Sequence, residues 1–248
     1  MPAATNETSS RDNGFSTTAK TDGRVTVQEK VLASLQYGLM SGLFVPGQVL
    51  SLRKLAASLG TSPMPVRECL SRLVAARALE ELPNRSVGVP RLGVKGLREL
   101  FEVRCHIEGM AARIVSEDAS EALLTELSAI NDRLLAAHRR QDMAQVLVAN
   151  QAFHFAIYNA ANSDILMPLI ESLWLRCGPT MYFSFNAPNN LWDTSTHLEM
   201  LEALRLHDGP RAQGAMQADI QKTADYLIKE ASSQRASGPF ASLAKITG

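Results

Sequence analysis

Apolar residues recur every four positions near the start of the chain, at Val27, Val31, Leu35 and Leu39, with Leu32 beside them. That spacing lays one apolar stripe along a helix and predicts one over Val27–Met40. Gly42 and the run Phe44-Val45-Pro46-Gly47 end it in a turn. A short second helix is expected over Leu52–Leu59, closed by Gly60. Ser62 then reads as an N-cap with Pro63 at the first helical position. The third helix should run to about Ala78, burying Val66, Cys69, Leu70, Leu73 and Val74 at i, i+3, i+4, i+7 and i+8. Leu79–Pro90 breaks the period: Pro83-Asn84 sits in the middle, and Val87 and Val89 alternate after it, the pattern of a two-stranded hairpin.

Beyond a short linker at 91–96 the pattern is helical throughout. Helices are expected at about 97–117, 120–140, 142–161, 164–186, 195–207 and 210–231, the fourth kinked or split near Gly178-Pro179. Six antiparallel helices with short loops make a bundle. The fold class is therefore mainly α: an N-terminal winged helix-turn-helix at 25–91 and an all-helical bundle domain at 97–232. Residues 1–24, rich in Ser, Thr, Asn and Asp, read as a disordered arm without the apolar segment of a signal peptide, and 233–248 as a flexible tail.

Charge sharpens this division. The whole chain is formally neutral, but residues 26–91 carry eight Lys/Arg against four acids, whereas 92–248 carry 14 basic against 18 acidic residues. One half is built to meet a polyanion and the other is not. The three cysteines, Cys69, Cys105 and Cys177, are far apart and form no CxxC pair, which suits a reducing compartment. No apolar run of about 18 residues offers a membrane span. A cytoplasmic protein without membrane contact is expected.

Three helices followed by a hairpin can dock on duplex DNA, with the third helix in the major groove presenting Met64, Arg67, Glu68, Ser71 and Arg72. The N-terminus of that helix also carries unpaired N–H groups able to meet a phosphate. The residues themselves carry a resemblance. Leu39–Leu50 (LMSGLFVPGQVL), followed by Leu52–Val89 with Pro65-Val66-Arg67-Glu68-Cys69-Leu70 and Pro83-Asn84-Arg85-Ser86-Val87-Gly88-Val89, closely resembles the GntR superfamily of bacterial regulators, with its PVREAL-like recognition helix and PNRGAxV-like wing. The resemblance implies that Arg53 and Arg67 contact DNA, and that Ser62 and the wing residues Asn84, Arg85 and Ser86 lie against the backbone or minor groove. Two positions depart from the pattern: Pro63 stands where the family often has a DNA-contacting arginine, and Ser86 where the wing usually has glycine.

Polar residues within apolar helices mark the second site. Asn150 and His154 share a helix face, His154 lies in FHFAIY, His197 opens a later helix, and Asp219 lies in AMQADI on the last one. Facing helices of a bundle build metal sites in this way. Glu99–Gly109 (ELFEVRCHIEG) resembles the start of the FCD domain of the FadR subgroup, and six helices look like its shorter, VanR-type form. That resemblance implies a metal held by an Asp-x-x-x-His helix and two later histidines. Here the positions read Asn150, His154, His197 and Asp219, so Asn replaces Asp and Asp replaces His. Two imidazoles and a carboxylate suit Zn²⁺, Ni²⁺, Mn²⁺ or Fe²⁺; the alternative is a pocket that binds its effector by hydrogen bonds alone. Arg104 would mate with a small carboxylate effector, with Asn150 beside it, or else pair with Glu108 one turn on.

The function read from this is a regulator of transcription, not an enzyme: a homodimeric repressor on a palindromic operator, switched by a small organic acid. The competing classes are a metal-dependent enzyme using His154, His197 and Asp219, and an architectural DNA binder with no effector.

Overall fold

The computed structural model describes residues 26–187 and 189–233, without the side chains of Asn84, Asn186, Asn189, Asn190 and Ser233. The arm expected at 1–24 and all but the first residue of the tail expected at 233–248 lie outside the described residues. α1 (Val27–Met40) starts with a reciprocal cap in which Thr26 and Glu29 satisfy each other's backbone N–H groups. β1 (Val49–Leu50) follows, then α2 (Leu52–Ser58), capped by the Ser51 hydroxyl and ended by Gly60 at φ +62°, a conformation open to glycine at no steric cost. α3 (Pro63–Ala75) buries Val66, Cys69, Leu70 and Leu73 and packs on α1 and α2. It ends a turn earlier than its apolar period suggests, and Arg77 then takes a left-handed φ of +57°.

The expected hairpin is there, as β2 (Glu80–Leu82) and β3 (Ser86–Gly88) joined by a 3₁₀ turn at Pro83–Arg85, but it is part of a larger sheet. β1 pairs antiparallel with β3 through Val49↔Gly88 and Leu50↔Val87, giving the order β1-β3-β2. A two-residue strand has no alternation to detect, so the sequence pattern could not show it.

Six α-helices follow: α4 (Val94–Ser116), α5 (Glu121–Arg139), α6 (Met143–Ala160), α7 (Leu166–Cys177), α8 (Ser195–Arg205) and α9 (Gly209–Ser233). α4 runs along α9, α5 along α6, and α8 against α9, around a core that includes Phe101, Leu127, Phe153, Ile157, Ile170, Trp174, Met200 and Met216. α4 begins in the segment expected to be linker. The split expected near Gly178-Pro179 is real: α7 stops at Cys177 and the chain continues as a 3₁₀ stretch, Gly178–Asn186. Gly178 has a second role. It packs on the end of α1, where an added Cβ would lie 2.2 Å from the Leu39 carbonyl oxygen, so only glycine lets bundle and N-terminal module come this close.

Candidate nucleic-acid interface and a buried His–His–Asp cluster

The start of α2, the outer face of α3 and the wing hold the residues expected to meet DNA. Arg53, Ser62, Met64, Arg67 and Arg85 are all exposed, and among the described residues the three arginines make no ion pair. Met64 is 63% exposed. Glu68, on the same face, is held by Gln28 of α1 at 3.0 Å, and the Cys69 thiol beneath it reaches the Gln28 carbonyl at 3.4 Å. Cys69 is thus a core residue tying α3 to α1.

Two expectations change. Ser86 is half-buried and its hydroxyl donates to the Pro83 carbonyl at 3.2 Å, so its proton serves the wing turn instead of a phosphate. Ser86 also has an ordinary extended backbone (φ −81°, ψ 160°), so glycine is not required there; the left-handed residue of the wing is Arg85, at φ +58°. The tip of α3 is poorer in donors than its position suggests. Pro63 and Pro65 occupy two of its first three positions and carry no N–H, and the Ser62 hydroxyl makes no capping bond.

Inside the bundle, three side chains from three helices converge. His154 (α6) places Nε2 3.1 Å from Asp219 Oδ2 (α9), and His197 (α8) places Nε2 3.6 Å from Asp219 Oδ1. One donor atom of each lies within 4.8 Å of the other two. Each imidazole is oriented from behind. His197 Nδ1 lies 3.1 Å from the Asn131 amide oxygen on α5, and its ring stacks on Phe153 at 3.9 Å. His154 Nδ1 lies 3.0 Å from the Tyr158 hydroxyl, one turn on, and that hydroxyl donates in turn to Glu108.

These partners assign the tautomers. An amide oxygen only accepts, and the Tyr158 hydroxyl has already given its proton to Glu108, so both Nδ1 atoms donate. Both Nε2 atoms of neutral imidazoles are then lone pairs facing a carboxylate, an arrangement that needs a cation: a metal ion, or an extra proton on one ring. The donor set fits a divalent metal. Burial lowers the His197 pKa to about 4, only partly offset by Asp219, so that ring is neutral near pH 7. Burial would raise the Asp219 carboxyl, but His197, His154 and the Thr196 hydroxyl, which donates at 2.5 Å, hold it well below the carboxylate range.

Asn150 lies one turn before His154, 7% exposed; among the described residues its side chain has no hydrogen-bond partner. Arg104 does not fit the effector role. It is engaged inside the bundle, with Nε and Nη2 on Glu108 at 2.6 and 3.0 Å, Nη1 on Cys177 Sγ at 2.8 Å, and Cζ 4.7 Å from the centroid of the Trp174 ring. The carboxylate it binds is the chain's own. Glu108 also receives Trp174 Nε1 at 3.1 Å. Arg104, Glu108, Tyr158 and His154 therefore form one hydrogen-bonded chain that ends at the His154–Asp219–His197 cluster. Burial raises the Tyr158 phenol and the Cys177 thiol, so both stay protonated.

Three members of this network, Asn131, Tyr158 and Thr196, were not expected from the sequence. Asn131 does interrupt the stripe Leu123, Leu127, Ile130, Leu134, and Tyr158 continues the Asn150–His154 spacing of four, so both left a sequence signal. Thr196 left none.

Among known proteins, the family model for bacterial regulatory proteins of the gntR family matches residues 27–89, and that for the FCD domain matches residues 99–222. The HTH-type transcriptional regulator McbR of Escherichia coli K12 is 35% identical over 210 residues, covering 83% of this chain and 95% of McbR. The solved structure of E. coli McbR/YncC matches with a TM-score of 0.77 at 30% identity, over 83% of this chain and 99% of that one. A GntR transcriptional regulator from Rhodococcus sp. RHA1 shares the fold, with a TM-score of 0.66 at 20% identity over 82% of this chain and 97% of its own. The gluconate operon transcriptional repressor of Bacillus licheniformis is 28% identical over 159 residues, 64% of this chain and 63% of the repressor. These relatives lend no support to the metal-dependent enzyme. The chain belongs to the GntR family of bacterial regulatory proteins and is a DNA-binding transcriptional regulator whose helical FCD domain is its effector-binding part.

Proposed function

We propose that this protein is a cytoplasmic, homodimeric repressor whose FCD domain holds a divalent metal and binds a small organic acid through it. The observation that carries this reading is the convergence of two imidazole lone pairs and a carboxylate on one point, each held there from behind. His154, His197 and Asp219 would hold the metal, and Asn150, one turn before His154 and without a hydrogen-bond partner among the described residues, offers its carbonyl to the metal or its amide to the ligand. A bound metal would supply open positions for a ligand carboxylate. With Arg104 spent on Glu108, that metal is the group left to attract the acid. Zn²⁺, Ni²⁺, Mn²⁺ and Fe²⁺ all accept this mixed donor set, and the second oxygen-type ligand, Asp219 in place of a histidine, favours the harder Mn²⁺ and Fe²⁺.

The exposed arginines of α3 and the wing would dock on DNA, and one such head covers a half-site, so two heads of a dimer match a palindrome. Repression is supported by the name of the B. licheniformis relative. The acid regulates only through unequal affinity for the DNA-competent and DNA-incompetent dimers, and a coupling of about 1–3 kcal/mol is enough.

Elemental analysis of protein purified without a metal-affinity step tests the metal. Close to one equivalent per chain is expected, falling when His154 or His197 is changed to alanine. Less than about a tenth of an equivalent, unchanged after adding metal back, would leave a cluster held by a proton and an effector bound by hydrogen bonds alone.

A further inference from the structure

The tip of the recognition helix has an unusual chemical make-up. In α3, positions 63 and 65 are proline, so the first turn lacks two of the N–H groups a helix end normally presents. Between them Met64 stands 63% exposed, the most exposed large apolar side chain of the N-terminal module, and Pro63 beside it is exposed as well. The core does not need this methionine: α3 anchors itself through Val66, Cys69, Leu70 and Leu73. Glu68, the one acid on this face, is tied back to Gln28. The leading surface of the helix is therefore apolar, followed one turn later by the exposed guanidinium of Arg67.

Base edges in the major groove offer hydrogen-bonding groups and one apolar group, the C5-methyl of thymine. A tip poor in donors has little to give the former and fits the latter. Methionine is unbranched and flexible, with a polarizable thioether, and can close over a methyl group without demanding one fixed pose. We propose that Met64 is a specificity-determining residue that reads a thymine methyl in each operator half-site, while Arg67 supplies the polar readout. This rests on the reading of α3 as the recognition helix. Met64 and Arg67 are three residues apart, a rise of about 4.5 Å, so the thymine lies within about one or two base pairs of the base that Arg67 contacts.

The test replaces thymine by deoxyuridine, which removes that methyl and leaves the Watson–Crick edge unchanged. Duplexes are first selected by the wild-type protein from a random-sequence pool, and deoxyuridine is then placed at each thymine of the selected site. At one symmetry-related pair of positions, wild-type affinity should fall about fourfold per half-site, the value of one buried methyl. Met64→Ala should bind the thymine and deoxyuridine duplexes equally, while Arg67→Ala should keep the thymine preference but lose discrimination at a neighbouring pair. Because Met64 is exposed, Met64→Ala should unfold at the wild-type temperature. Wild-type indifference to deoxyuridine everywhere, or a Met64→Ala variant with the wild-type preference, overturns the assignment. A wild-type protein that enriched no sequence at all would instead overturn the reading of α3 on which it rests.

Discussion

The two halves of this protein treat their polar groups in opposite ways. The N-terminal module turns them out: Arg53, Arg67 and Arg85 are exposed and, among the described residues, make no ion pair. The bundle turns them in: Arg104, Glu108, Asn131, Asn150, His154, Thr194 and His197 are all buried. A polyanion is recognised by charges that are free in water and release counterions when they meet phosphate. A small ligand is recognised by groups already desolvated and oriented, which destabilise the fold unless each has a partner. All five histidines, at 106, 138, 154, 197 and 207, lie in the second half.

The contrast is broken most severely at Glu108. Glu108→Ala leaves Arg104 buried without its carboxylate, and strands the Tyr158 hydroxyl and Trp174 N–H as well. Urea denaturation should show a loss of about 3–5 kcal/mol. Replacing the pair together, as Arg104→Met with Glu108→Leu, should recover much of that loss; a double variant as unstable as the single one would show that the network, not the unpaired charge, sets the cost.

Next in size is the pH response of metal-free protein in chelator. His197 titrates at about 4 in the fold because burial disfavours its charged form, against 6.5 for the free side chain. Between these values the unfolded chain takes up a proton that the folded chain refuses. Stability is thus full above pH 6.5 and falls as pH drops toward 4, by on the order of 3 kcal/mol at most. Melting curves from pH 7.5 to 4.5 should flatten in His197→Gln. Equal slopes in the two proteins would remove His197 as the cause.

On the exposed side the effects are smaller and leave folding untouched. Arg67→Ala should weaken selected-site binding by about 1–3 kcal/mol in gel shifts, with little change for unrelated DNA. Arg85→Ala should weaken all sequences alike and reduce the salt slope of binding by about one. A uniform loss for Arg67→Ala, or a sequence-dependent loss for Arg85→Ala, would exchange the roles of recognition helix and wing.

Some of this was legible from spacing alone. The stripe of α3, the break at Gly178-Pro179 and the three cluster residues His154, His197 and Asp219 all lie where periodicity and the placing of polar residues in apolar helices put them. β1 was not legible, since two residues carry no period, and neither was Thr196, an exposed-looking hydroxyl that bonds Asp219 across a helix interface. Arg104 shows the limit most clearly. Its burial could be expected from the pattern of α4, and Glu108 one turn on was a known candidate partner. Whether that guanidinium stays free for a ligand depends on Cys177 and Trp174, both about 70 residues away along the chain.

By itself the sequence determined which faces of each helix are apolar, where the main breaks between helices fall, and several of the polar residues that go inside, because these follow from periods of a few residues and local backbone chemistry. The tertiary structure decided which buried groups satisfy one another and which are left to bind something else. Polar groups satisfy one another only within a few ångströms, and only the packing of α4, α6, α8 and α9 brings Glu108 to Tyr158, and His154 and His197 to Asp219.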